Sequence, residues 1–128
     1  MNYFLEGGWP MWLILLFTGV GLTAGVVSLG AARGRAGVAL GAGTLVVALM
    51  IGGAGLFGWQ LGRAQTDAAV VYASPADVEV LRAQGYEESS HALVCGLAGA
   101  AIPLVLGIAA IALSLSRASS EPGAPRRG

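Results

Sequence analysis

The sequence predicts an all-α fold, a three-helix transmembrane bundle with a short external helical loop between its second and third helices. Composition is the first ground for this. Of 128 residues, 55% are hydrophobic and 11% charged, and the mean hydropathy is +0.73. A water-soluble domain of this size is far less apolar, so the apolar side chains face something besides a core. The second ground is three stretches without a charge, 7–32, 36–62 and 92–116. Roughly 20 apolar residues cross the hydrocarbon of a bilayer at about 1.5 Å of rise each, and every stretch exceeds that. A helix satisfies its own backbone hydrogen bonds in lipid, and these runs are too long and continuous for barrel strands. The third ground is charge placement. All seven basic residues are Arg, and five of them, Arg33, Arg35, Arg117, Arg126 and Arg127, fall on one side of the predicted spans. Arg63 and Arg82 fall on the other with Glu6, Asp67, Asp77, Glu79, Glu87 and Glu88. The positive-inside rule makes the Arg-rich side cytoplasmic, and three spans then put the N-terminus outside.

Residues 1–118 read as a single transmembrane domain. After an external lead-in through Gly8, the first helix is expected over about 9–29, with Pro10 in the first turn, where its missing N–H costs little. Glu6 and the lack of an upstream Arg argue against a cleaved signal peptide, so this helix is kept as a span. The second helix is expected over 38–61, with Trp59 at its outer end as Trp9 and Trp12 are at the outer end of the first, all at headgroup level. An external loop, 63–90, follows. Within it Ser74-Pro75-Ala76-Asp77 reads as an N-cap, a first-turn proline and a first-turn acid, and Gly85 as a stop, giving a short helix over 75–84 that could lie on the membrane surface. The third helix is expected over 91–115. The tail 119–128, rich in Ser, Pro, Gly and Arg, reads as disordered and cytoplasmic.

Glycine is costly inside a soluble helix, but in a membrane it lets backbones approach. On the second helix Gly37, Gly41, Thr44, Ala48, Gly52, Gly55 and Gly62 recur at steps of three and four, with Trp59 in register. On the third, Ala92, Gly96, Gly99, Pro103, Gly107, Ala110 and Ser114 do the same. The expected packing seam is therefore Gly41, Gly52, Gly55, Gly96, Gly99 and Gly107, and it serves either contact between the two helices or contact between subunits.

No nucleophile–base pair, phosphate loop or metal cluster can be assembled, so the expectation is that the chain is no enzyme, holds no cofactor or metal and binds no nucleic acid. Its one cysteine, Cys95, permits no intrachain disulfide and suits a small packing residue. His91 and Cys95 share a helix face at i and i+4, which is a poor metal site by itself. Glu87 and Glu88, expected at the start of the third helix, suit a solvated cap favoured by the helix N-terminus or the mouth of an ion path. No span contains an acid or base, where a proton relay is normally marked. Pro103 in mid-helix suits packing geometry or a gate equally.

Two segments carry a resemblance. Phe4-Leu5-Glu6-Gly7-Gly8-Trp9-Pro10-Met11-Trp12-Leu13-Ile14-Leu15-Leu16 is similar to the lead-in and first helix of the MotA/TolQ/ExbB proton-channel family. Gly85-Tyr86-Glu87-Glu88-Ser89, followed by Ala100-Ala101-Ile102-Pro103, resembles the entry and centre of that family's last helix. The resemblance implies a bacterial inner-membrane subunit with three spans and an outside N-terminus. It further implies a homo-oligomeric ring around a single-span partner, ion-coupled transport or energy transduction, and an ion path involving Glu88 and Pro103. The chain departs from the family in having only Arg33-Gly34-Arg35 where members carry a large cytoplasmic region. Its external loop is longer, one extra residue separates Glu88 from Pro103, and the family's threonine near Val94 is missing. The alternative expectation is a non-conducting scaffold or accessory subunit that uses the small-residue seams to hold a membrane complex.

Overall fold

A computed structural model of the protein describes residues 8–31 and 34–120. Three helices make up nearly all of it: α1, Gly8–Gly30; α2, Gly34–Val70; and α3, Val78–Ser120. Strands are absent among the described residues. Each helix is long and apolar enough to cross a membrane, which fits a multi-pass membrane protein. The lead-in before Gly8, the basic residues Arg33, Arg126 and Arg127, and the tail beyond Ser120 lie outside the described residues.

Two helices outrun their expected bounds. In place of helices over 38–61 and 91–115 joined by a 63–90 loop, α2 runs on to Val70, α3 already starts at Val78, and only 71–77 is non-helical. With 37 and 43 residues, these helices are about 55 and 65 Å long against a hydrocarbon thickness of about 30 Å. The α2–α3 hairpin therefore continues well past the apolar layer, and no separate helix lies on the membrane surface.

Local hydrogen bonds explain the shift. The Asp77 amide donates to the Ser74 carbonyl at 2.9 Å, and Ser74 Oγ donates to Asp77 Oδ2 at 2.7 Å, closing a turn with Pro75 at its second position. The first helical bond then runs from the Leu81 amide to the Asp77 carbonyl at 3.0 Å. Asp77 is thus the cap in place of Ser74. Gly85, expected to stop a helix, lies inside α3, where a Cβ would collide with the Thr66 side chain of α2. Its lack of a side chain serves a close approach between helices.

Apart from Val70 at the end of α2, the buried positions fall at steps of three, four or seven residues. On α1 they are Met11, Ile14, Gly21, Gly25 and Ser28; on α2, Gly37, Gly41, Thr44, Ala48, Ile51, Gly55 and Gly58. On α3 they are Ser89, Ala92, Gly96, Pro103, Gly107, Ala110 and Ser114. This spacing averages close to 3.5 residues, the period that keeps one stripe of a helix against its neighbour. The most extensive interface is that of α2 with α3, and α1 packs across both. At its centre the backbones touch. A Cβ on Gly55 would lie 2.7 Å from Gly96 Cα, and one on Gly96 would lie 2.5 Å from Gly55 Cα. Toward the other end, a Cβ on Gly41 or on Gly107 would stand 3.0 Å from the other's carbonyl oxygen.

One seam position moves. Gly52 is half-buried, and a Cβ there would meet only Ala100 Cβ at an ordinary 3.9 Å. The fully buried residue is Ile51, which joins Met11 and Ile14 in the apolar core with Phe17, Val47, Ala54, Cys95 and Ala100 packed around it. Gly58, likewise, takes the place expected for Trp59. Two successive steps of four from Thr44 turn the reading one residue off the contact line, because each extra residue rotates the stripe by about 100°.

A methyl group on Gly55 or Gly96 meets backbone that cannot rotate away. We expect Gly55→Ala and Gly96→Ala each to destabilise the bundle by about 1–3 kcal/mol, read by far-UV circular dichroism in a detergent unfolding titration. Gly53, where a Cβ would meet nothing within 4 Å, is the control: Gly53→Ala should stay within about 0.5 kcal/mol of the parent.

Candidate functional site

Beyond the charge-free part of the spans, the hairpin carries charged side chains. Trp59, Arg63 and Asp67 fall at i, i+4 and i+8 on α2, so they share one face; Arg82 and Tyr86 do the same on α3. The antiparallel register brings the two faces together. The Arg63 guanidinium lies over the Trp59 ring at 5.0 Å and over the Tyr86 ring at 4.4 Å. Tyr86 Oη donates to Asp67 at 2.9 Å from either carboxylate oxygen, and Arg82 Nε stands 3.2 Å from Asp67 Oδ1.

Each contact is modest alone. A cation over an aromatic face is worth about 0.5–1 kcal/mol at an exposed site. The Arg82–Asp67 pair has both side chains about half exposed (48% and 49%), so it contributes about 0–1 kcal/mol. The geometry chains them into one latch, because Tyr86 serves Arg63 with its ring and Asp67 with its hydroxyl. The latch needs the backbones close, and small contacts below and above it provide this: Gly62 against Ser89, where a Cβ would stand 2.7 Å from Ser89 Cβ, and Gly85 against Thr66.

The acidic pair singled out by the sequence stands differently. Glu87 and Glu88 are exposed on the third turn of α3, past the reach of its N-terminal dipole, so the expected capping role does not apply. Pro103 is fully buried: a Cβ on Gly21 of α1 would stand 2.8 Å from Pro103 Cγ. Along α3 the two residues lie about 22 Å apart, one on the surface and one in the core. The structure does not bring them into one site. Gly99 faces α1 as well as α2, with Thr18 Oγ1 2.6 Å and Ile51 Cγ2 3.2 Å from where its Cβ would be. Cys95 packs against the core as expected. No group of three or more metal-ligating residues occurs among the described residues.

The hydroxyls within the spans serve their own helices. Thr18 Oγ1 donates to the Ile14 carbonyl at 2.7 Å, Ser28 Oγ to Gly25 at 2.7 Å, Thr44 Oγ1 to Leu40 at 3.0 Å and Ser114 Oγ to Ala110 at 2.7 Å. Among the described residues no buried side-chain polar atom is left without a partner. The contacts at Arg63, Asp67 and Tyr86 hold the two helices of the hairpin together. Sequence reasoning paired neither Arg63 nor Arg82 with Asp67 or with an aromatic ring. The i, i+4 spacing was there to be read, but which face meets which depends on the hairpin register.

The latch predicts a coupling. Arg63→Ala and Tyr86→Phe should each lower the melting midpoint, and a double-mutant cycle between Arg63→Ala and Tyr86→Ala should give a coupling energy of about 0.5–1 kcal/mol. Hydrogen exchange should quicken at residues 63–90 while the amides around Ile51 stay protected.

A search of family models, of curated proteins and of solved structures finds no match to this chain.

Proposed function

We propose that the chain is a small, non-enzymatic subunit of a bacterial inner-membrane assembly, with its N-terminus outside, that works as a non-conducting scaffold or accessory protein. The observation that carries this reading is the contrast between spans and hairpin. The spans hold no Asp, Glu, Lys, Arg or His between 36 and 62 or between 92 and 116, and their buried hydroxyls are bonded to their own helices. Their lipid-side faces are apolar, with Leu15, Leu16, Val26, Val27, Val46, Leu49, Val94, Leu97 and Val105 all exposed. A pathway between copies would run along those faces. The hairpin, by contrast, stands past the apolar layer and is stiffened by the latch. A rigid projecting element on an inert anchor is what a subunit that holds other proteins in place requires.

A conducting role in the manner of the MotA/TolQ/ExbB family is the second reading. It is favoured by Glu88, a carboxylate exposed on α3 four residues before the charge-free stretch begins at Ala92. In that version the chain forms a homo-oligomeric ring around a single-span partner, and Glu88 faces the ring axis.

Proton flux into proteoliposomes separates the two. On the scaffold reading, parent protein and Glu88→Gln give the same flux as empty liposomes. A parent flux well above the empty-liposome level that Glu88→Gln lowers tenfold or more would establish the conducting version and overturn the scaffold.

A further inference from the structure

At the end of the bundle opposite the hairpin loop, a groove of about 400 Å³ opens between the first turns of α2 and the last turns of α3. Arg35, Val38, Ala39 and Ala42 of α2 line one wall and Ser114, Leu115 and Ala118 of α3 the other, all through apolar atoms. No residue of α1 contributes to it. The groove exists because the wall residues are small: Ala39, Ala42 and Ala118 are exposed and leave a gap beside the buried Gly41–Gly107 contact. The hydroxyl of Ser114 is turned to the Ala110 carbonyl at 2.7 Å, so it presents no free donor to the groove.

The depth and charge of this groove match one kind of occupant. Val38 to Ala42 lie in the apolar stretch of α2, and Arg35 sits one turn beyond them, at the level where that stretch meets charge. An exposed Arg35 with Arg117 on the facing helix end, and no acid in the first turn of α2, makes this end positive. Long basic side chains at helix ends reach toward phosphate while the groove below stays in hydrocarbon. We infer that the groove is a binding site for an anionic phospholipid of the leaflet on this side, with one acyl chain in the α2–α3 groove and its phosphate on Arg35. This site does not depend on whether the subunit conducts or serves as a scaffold.

The test uses the full chain in phosphatidylcholine bilayers carrying a few per cent of spin-labelled phosphatidylglycerol or spin-labelled phosphatidylcholine. The restricted fraction in the electron paramagnetic resonance spectrum reads lipid held by the protein. The parent should hold phosphatidylglycerol in preference to phosphatidylcholine. Arg35→Gln should cut that preference roughly fivefold, the factor corresponding to about 1 kcal/mol for one basic side chain near anionic lipid. Ala42→Phe, which fills the groove but leaves Arg35 in place, should lower the restricted fraction of phosphatidylglycerol to that of phosphatidylcholine with the helical circular dichroism unchanged. Competition by free glycerol phosphate at millimolar concentration should have no effect, since the acyl chain supplies much of the binding. Retention of the preference in Arg35→Gln, an unchanged restricted fraction in Ala42→Phe, or displacement by glycerol phosphate would each overturn the inference. So would a cross-linked dimer through Ala42→Cys, because a second copy would then occupy the groove.

Discussion

Everything in this fold hangs on the backbone contact between α2 and α3 at Gly55 and Gly96. Lipid is as apolar as the helix surfaces, so no hydrophobic force drives these helices together, and close approach must supply the attraction through many short van der Waals contacts. The contact also sets the register, since a Cβ at either glycine would strike the other's backbone. From that register follow Gly41 on Gly107 at one end and Gly62 on Ser89, then Thr66 on Gly85, at the other. The latch of Arg63, Tyr86 and Asp67 is a consequence, because its members meet only when the two helices are this near.

The first helix joins by a different device. Gly21 and Gly25 make room for Pro103 and Leu106 of α3, where a Cβ would stand 2.8 Å from Pro103 Cγ and 2.6 Å from Leu106 Cδ1. Proline lacks the N–H that would bond to the Gly99 carbonyl one turn earlier, a weakness for a helix standing alone. Here its ring stands in the space that Gly21 vacates, which Val47 of α2 also borders. The three helices thus meet around Ile51, Met11, Ile14 and Pro103.

This economy separates anchoring from presentation. Inside the apolar layer the side chains carry no charge, and the hydroxyls of Thr18, Ser28, Thr44 and Ser114 bond to their own helices. Past that layer the same two helices carry aromatic, basic and acidic groups in mutual contact. The exposed Glu87 and Glu88 stand beside that cluster, and the groove at the far end sits beside Arg35, so the molecule presents distinct chemistry at its two ends.

Much of this was legible beforehand. Charge-free length alone gives three helices, because lipid leaves an unpaired backbone no other partner. The glycine periodicity gave Gly41, Gly55, Gly96 and Gly107 as contact residues, since small side chains at steps of three and four share a helix face. What the tertiary structure decided was where a helix ends once a neighbour supports it. Gly85 reads locally as a stop, but beside Thr66 its missing side chain is what lets the helix continue against α2. Ser74 reads as a cap, yet the turn it closes passes that role to Asp77. Ile51 escaped a search for small residues because a large side chain can also occupy a seam when the facing position, Gly99, leaves room. Residue type and spacing determined the spans by themselves; the partner across the interface determined the bounds, the register and the latch, since each depends on distances between residues far apart in the chain.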